Sequence, residues 1–211
     1  MDIHPIFPTM VHSWRSEFDF DKIVSDLEEE TFINANINPD NPGRVWQTKH
    51  TLHKDERFKE ITEFFNVCLE EYKTFYEFEC ERFDISICWG NYSPAFKQGK
   101  HGVHTHPMSY ISGVYYLTEG SPTMFEDPVY QRREGLIKLY SVDPNKTPEA
   151  WGMIPEPGKL LIFPSWLKHG TLPHTADYAR WSISFNAIPV GPCNSQSSES
   201  KLACWNVYHA D

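Results

Sequence analysis

Phe83-Asp84-Ile85-Ser86-Ile87-Cys88-Trp89 is the stretch on which the fold turns. Phe83, Ile85, Ile87 and Trp89 alternate with Asp84, Ser86 and Cys88, the period-two pattern of a strand buried on one side. Further strand-like runs follow at Tyr110–Leu117, Leu136–Tyr140, Lys159–Phe163 and Trp181–Ile188. Between them lie Gly- and Pro-rich connections at Glu119–Pro122, Pro144–Pro148 and Pro155–Gly158, and no helical pattern. Strands that succeed one another without intervening helices form antiparallel sheets, so a double-sheet jelly roll is expected. The fold class is mainly β with flanking α.

Upstream of residue 83 the period is different. Phe58, Ile61, Phe65, Cys68, Leu69, Tyr72 and Phe75 recur at three- and four-residue steps, which puts them on one stripe of a helix packed against a sheet. Asp19 and Asp21 offer N-caps for an earlier helix running to about Phe32, with Ile23, Val24 and Leu27 on its apolar side. Ile6–Trp14 suits an edge strand and Val45–Leu52 another. Asn34–Arg44, with two Asn-Pro steps and a Pro-Gly, reads as a loop. The organisation expected is one domain over residues 1–190, its helical and strand N-terminal part spanning 1–80 and its β core 81–190, then a C-terminal tail at 191–211 that begins with the Ser-rich run Cys193–Lys201.

The chain of 211 residues is long enough to bury a hydrophobic centre. Its formal charge of -10 disfavours a broad grip on nucleic-acid backbone, which needs clustered Lys and Arg. No run approaches a membrane span and Met1–Phe20 lacks the pattern of a secretory leader, so a cytoplasmic protein is expected. The five cysteines lack a C-x-x-C spacing and read as buried thiols rather than as a disulfide framework or a zinc site.

Ten histidines are many for this length, and three stand in His101-Gly-Val-His104-Thr-His106-Pro107. Residues two apart on a strand point to the same side, so His104 and His106 can aim both imidazoles at one metal ion. H-x-H alone also describes a pair of surface histidines; a third ligand has to come from elsewhere. His169, in Phe163-Pro-Ser-Trp-Leu-Lys-His169-Gly170, is the candidate, and the resulting set suits an open facial site with positions left for other ligands. Shortly after it comes Arg180-Trp-Ser-Ile-Ser-Phe-Asn186. Alternation puts Trp181, Ile183, Phe185 and Ala187 on one face and Arg180, Ser182, Ser184 and Asn186 on the other. A polar face headed by arginine beside a metal histidine suits a dicarboxylate, because guanidinium grips a carboxylate with a bidentate fork and a serine hydroxyl adds a third bond.

Together these residues resemble the 2-oxoglutarate/iron(II) oxygenase superfamily, and within it a group of 2OG-Fe(II) oxygenases found in bacteria and phages. The matching strings are His104-Thr-His-Pro, Ser112-Gly-Val-Tyr-Tyr-Leu117, Leu161-Ile-Phe-Pro-Ser-Trp-Leu-Lys-His169, Arg180-x-Ser182 and Phe185-Asn186, with Ile6-Phe-Pro-Thr9 and Trp46-Gln-Thr48 nearer the N-terminus. The resemblance implies a double-stranded β-helix core, of jelly-roll or cupin-like form, with N-terminal helices packed on one sheet. It implies iron(II) and 2-oxoglutarate as cofactors, an oxidised small-molecule or protein side-chain substrate, and an anchor for 2-oxoglutarate at Arg180 and Ser182 with Tyr116 beside them.

One departure stands out. His106 occupies the place where the superfamily has Asp or Glu, which would leave the metal centre one charge more positive. Asp127 and His101 are the alternative ligands. A cupin-type three-histidine metal enzyme is the nearest rival, although the glutamate expected soon after a cupin's H-x-H is missing between Pro107 and Ile111 and Arg180-x-Ser182 would have no task. A catalytically silent metal-binding module is the rival from another class. Asn91, Ser112, Trp166 and Asn186 are further pocket candidates, with His174, and the loops Phe96–Val103 and Met124–Pro148 are expected to rim the opening. Neither the substrate nor the oligomeric state is legible in the sequence.

Overall fold

A computed structural model describes residues 8–33, 43–129 and 150–193, together with the backbone of 202–204. In chain order the elements are β1 (His12–Arg15), α1 (Phe20–Glu28), β2 (Trp46–Gln47), 3₁₀ turns at Leu52–Lys54 and Glu56–Phe58, α2 (Lys59–Phe75), β3 (Arg82–Ser93), β4 (Ile111–Tyr116), β5 (Thr123–Glu126), β6 (Ala150–Met153), β7 (Lys159–Pro164), β8 (His169–Thr171), β9 (Arg180–Cys193) and β10 (Leu202–Cys204). The expected strand at Leu136–Tyr140, most of the Asn34–Arg44 loop and the Ser-rich run after Cys193 lie outside the described residues.

The strands form two antiparallel sheets. The larger runs β1-β7-β4-β9-β3-β2, with β10 added along the end of β9, and the smaller runs β6-β5-β8. Neighbours far apart in sequence, β7 beside β4 and β4 beside β9, give the crossed-over path of a jelly roll. The helices cover one face of the larger sheet. Asp19 caps α1 by accepting from Lys22 N at 3.0 Å, and Ile23 and Leu27 go into the core. This helix stops at Glu28, short of the expected Phe32, which instead makes a bridge with Thr48.

Helix α2 buries Ile61, Phe65, Cys68, Leu69 and Tyr72, and Phe58 is buried just ahead of it. Phe65 stacks against Phe185 of β9 with centroids 4.9 Å apart and meets Tyr115 of β4 at 5.6 Å, so one ring ties the helix to two central strands. Phe75, expected on the same stripe, is 61% exposed because it sits at the last turn, edge-on to His12 and Tyr76.

Two sequence expectations need correction. Strand β3 does not keep one alternation throughout: pairing with β9 shifts between Ile85 and Ile87, a β-bulge at Ser86. Phe83 and Ile85 face the core under α2, but past the bulge Cys88 takes the core side, while Ile87, Trp89 and Asn91 turn to the opposite cavity. An extra unpaired residue inverts every later side chain, and no periodicity within β3 alone announces it. The cysteines are also not all thiols. Cys68, Cys80 and Cys88 are free, whereas Cys193 at the end of β9 is disulfide-bonded. An odd count and the missing C-x-x-C hid it.

Phe65→Ala should cost about 3–5 kcal/mol, the usual loss for emptying a fully buried aromatic site. In denaturant titration the midpoint should fall with the slope unchanged.

Candidate active site

The H-x-H segment is held against the strand that carries the third histidine. His104 N donates to His169 O at 2.9 Å and His169 N donates back to His104 O at 3.0 Å, while His106 N donates to Ser165 O at 3.0 Å. This ladder brings the three rings into one cluster. Ring centroids lie 4.5 Å apart for His104 and His169, 4.9 Å for His104 and His106, and 5.0 Å for His106 and His169. One nitrogen from each falls within 4.8 Å of the others, so the three side chains could hold one metal ion. His169 is buried while His104 and His106 are only partly so, which leaves the cluster open on one side.

The second ring nitrogens fix which atom is offered. His104 Nδ1 lies 2.7 Å from Gly102 O and His169 Nδ1 lies 2.8 Å from Leu167 O. A carbonyl only accepts, so each Nδ1 carries the proton and each Nε2 presents a lone pair. The His169 lone pair faces His106 Nε2 at 3.1 Å, a contact that needs a proton or a cation between the nitrogens. Burial, followed by the neighbouring imidazoles, pushes His106 down to about 4. Burial does the same to His169, down to about 4, against the Leu167 carbonyl, which favours its protonated form. Both are neutral at physiological pH, as metal ligands must be. The chemistry of this donor set fits a divalent transition metal.

The cluster opens into a cavity of about 570 Å³. Its opposite wall is the polar face of β9, with Arg180, Ser182, Ser184 and Asn186 lining it while Trp181, Ile183, Phe185 and Ala187 pack in the core. Arg180 is 3% exposed, its Nε has no hydrogen-bond partner, and no carboxylate pairs with it among the described residues. Burial works against its charge. A buried cation without a counter-ion is costly, and an anion bound in the cavity would relieve it. The pocket thus fits a carboxylate ligand at Arg180 on the same grounds that it fits a metal at the histidines.

Tyr116 lies under the guanidinium, its ring 5.7 Å from Arg180 Cζ, and its hydroxyl meets Thr123 Oγ1 at 2.6 Å. Burial raises it to about 12. Asn91 lines the cavity and donates to Ser184 Oγ at 3.0 Å, and its Oδ1 accepts from Trp89 Nε1 at 3.0 Å and Gln47 Nε2 at 3.1 Å. Ser112 is buried behind Asn186, to which it lies at 2.9 Å. Trp166 falls elsewhere: 57% exposed, it lines a separate groove with Tyr72, Tyr76 and Tyr110. Asp127 lies off the metal cavity and accepts from Val129 N at 2.9 Å. His101 lines the cavity, 6.1 Å from the His104 ring, but is not part of the three-histidine cluster. His174 is buried, and its Nε2 donates to Tyr178 O at 2.7 Å.

Sequence reasoning missed Gln47, His50 and Trp89, which line the cavity alongside the polar face of β9. The bulge at Ser86 is what brings Trp89 to this side, and His50 follows from the backbone bond of Cys88 N to His50 O at 3.1 Å. His50 Nε2 is buried there without a partner, and its ring lies 5.2 Å from that of Trp89.

Residues 87–186 match the family described as Putative 2OG-Fe(II) oxygenase, and that span holds all three histidines, Arg180 and Asn186. Over that span, just under half of its length, the chain resembles a 2OG-Fe(II) oxygenase domain. Solved structures agree on the fold. HygX from Streptomyces hygroscopicus, with nickel, 2-oxoglutarate and hygromycin B bound, is similar at TM-score 0.56 and 12% identity over 86% of this chain and 83% of that one. A prolyl-4-hydroxylase from Pseudomonas putida is similar at 0.57 and 12%, over 87% and 94%. A viral collagen prolyl hydroxylase from Paramecium Bursaria Chlorella virus-1, in complex with 2OG, is similar at 0.54 and 11%, over 85% and 96%. No curated protein matches the sequence. Domains of this family are iron(II)- and 2-oxoglutarate-dependent enzymes, with the double-stranded β-helix fold seen here. No helix among the described residues is long and apolar enough to cross a membrane.

A divalent metal should stabilise the oxygenase domain by about 2.7 kcal/mol at a concentration 100-fold above its Kd. The accompanying rise in melting temperature should vanish in His169→Ala and His104→Ala.

Proposed function

We propose that the protein hydroxylates a small molecule or a protein side chain, with iron(II) held by His104, His106 and His169 and 2-oxoglutarate anchored by Arg180 and Ser182. The observation that carries this reading is a buried, unpaired arginine in the same cavity as three converging imidazoles. A cupin-type or silent metal site would leave that arginine without a partner.

Bound iron(II) and 2-oxoglutarate supply the oxidising chemistry, in which dioxygen is consumed, 2-oxoglutarate is split to succinate and carbon dioxide, and one oxygen atom enters a substrate C–H bond. The chain's own groups bind and orient. The Arg180 guanidinium takes the far carboxylate in a bidentate fork, and the Ser182 hydroxyl adds a donor one register step along the same strand face. Tyr116 supports the guanidinium from below and is held by Thr123. Gly113, Val114 and Phe163 line the cavity with apolar surface, which limits water around the reacting groups. Alongside β9, Trp89 offers a flat surface and His50 Nε2 an uncommitted polar atom, a pairing suited to a substrate with one hydrogen-bonding group on an apolar frame. HygX is solved with hygromycin B bound and two of the similar structures are prolyl hydroxylases, which supports small molecules and protein side chains as the classes to screen. Free thiols at Cys68, Cys80 and Cys88 favour a cytoplasmic location, and the disulfide at Cys193 argues the other way.

The test is anaerobic addition of iron(II) and 2-oxoglutarate to the metal-free protein, watching for the weak visible charge-transfer band of the chelate, followed by succinate assay in air. Arg180→Ala should raise the KM for 2-oxoglutarate at least about 30-fold, since losing one partner of a buried charge pair costs about 2–5 kcal/mol. His169→Ala should abolish both band and turnover; unchanged turnover in that variant would overturn the assignment.

A further inference from the structure

Behind His106 lies a chain of polar side chains that, among the described residues, ends on backbone carbonyls and not on a carboxylate. His106 Nδ1 lies 3.1 Å from Asn186 Nδ2, Asn186 Oδ1 lies 2.9 Å from Ser112 Oγ, and Ser112 meets Ser165 Oγ at 2.8 Å. Ser165 meets Ser109 Oγ at 3.0 Å, and Ser109 Oγ lies 3.0 Å from Ile111 O and 3.3 Å from Ala187 O. The two ends of this chain are not equivalent, and each hydroxyl has one proton to give.

Backbone carbonyls only accept, so Ser109 must donate to them. Its oxygen then accepts from Ser165, and Ser165 in turn accepts from Ser112. Ser112 has then spent its proton and can only accept, so the Asn186 amide takes the flipped orientation, its NH₂ toward Ser112 and its carbonyl oxygen toward His106, the two ends of an amide being alike in shape. The reverse direction would press the Ser109 lone pairs against two backbone carbonyls. It would also put a proton on His106 Nε2, which satisfies the 3.1 Å contact with His169 Nε2 without a metal, whereas the proposed tautomer leaves both lone pairs for a cation between them.

We propose that Asn186, oriented by the Ser112–Ser165–Ser109 chain, is a positioning residue that holds His106 as the Nδ1–H tautomer with its Nε2 lone pair turned to the metal. The inference rests on the metal site argued above. His104 and His169 receive the same instruction directly from the carbonyls of Gly102 and Leu167. His106 lacks such a carbonyl and gets it through four side chains. The chain also fixes the charge: with no carboxylate at its end to draw the Nδ1 proton away, His106 stays a neutral ligand.

Zinc(II), which is diamagnetic, provides the probe. In the zinc-loaded protein, nitrogen-15 correlation spectra of the histidine rings should show a proton on His106 Nδ1, assigned by comparison with His106→Ala. By calorimetry, zinc affinity should fall about 10- to 100-fold in Asn186→Leu, the range for removing a partner of a metal-bound histidine. Asn186→Asp, which keeps an acceptor on Nδ1 at the same size, should bind zinc at least as tightly as the unaltered protein. Ser112→Ala should show a smaller loss, because the amide is then free to turn. An unprotonated His106 Nδ1 in the zinc-loaded protein, or equal weakening by Asn186→Asp and Asn186→Leu, would overturn the proposal. Zinc binding lost in His169→Ala but untouched in Asn186→Leu would overturn this inference alone. A protein that takes up no metal would overturn the functional reading and this inference with it.

Discussion

Two backbone hydrogen bonds, exchanged between His104 and His169, are the constraint on which the site depends. They are short-range and neutral, but they join a loop segment to the first residue of β8. Without them the H-x-H motif would be a pair of histidines at a sheet edge. Everything that positions His169 is therefore transmitted to His104 and His106: the pairing of β8 with β5 through Phe125, and the packing of Phe163 against the His169 ring with centroids 4.6 Å apart. Gly170 is part of the same device. A Cβ there would come within 2.8 Å of His101 O, so only glycine lets the two segments approach this closely.

The opposite wall is organised by β9, the longest strand, which pairs with both β3 and β4. One of its faces goes under helix α2 through Phe185 and Phe65, and the other presents Arg180, Ser182, Ser184 and Asn186 to the cavity. Aromatic packing on the core side thus fixes the height and tilt of the polar residues on the other. At Gly113 of β4 a side chain would meet the Phe185 ring at 2.3 Å, so the close fit of the core extends to the strand beside the anchor. Rigid packing on one face and an unsatisfied cation on the other are linked by the two-residue period of a single strand.

That period is why much of the site could be read in advance. His104, His106, His169, Arg180 and Ser182 sit where local alternation or a short motif places them, and the β9 alternation predicted the face of each residue from Arg180 to Ala187. The wall built from β2 and β3 was not legible in the same way. Trp89 reaches the cavity because Ser86 bulges, and a bulge is a pairing event between strands rather than a pattern in one. Gln47 and His50 come from a segment with weak periodicity that takes its position from β3. Ser165 gave no signal at all, since a serine between a proline and a tryptophan looks like a turn residue until Ser112 and Ser109 are seen around it.

The histidine in place of a carboxylate changes how the two ligands of the oxygenase domain depend on each other. Among the described residues no Asp or Glu lines the cavity, while Arg180 brings one positive charge and a divalent metal would bring two more. The three imidazoles would be neutral ligands, so no described residue of the lining would offset this charge. The two carboxylates of 2-oxoglutarate would. Bound as proposed, metal and 2-oxoglutarate would therefore share a favourable coupling larger than a site with an acidic ligand would give, and by thermodynamic reciprocity each would tighten the other equally. The neutral end of the Asn186 chain maintains that condition. A carboxylate in its place would draw the His106 proton and restore part of the missing negative charge. On this view the serines behind His106 hold its tautomer, and they also keep the centre short of negative charge until the anionic co-substrate arrives.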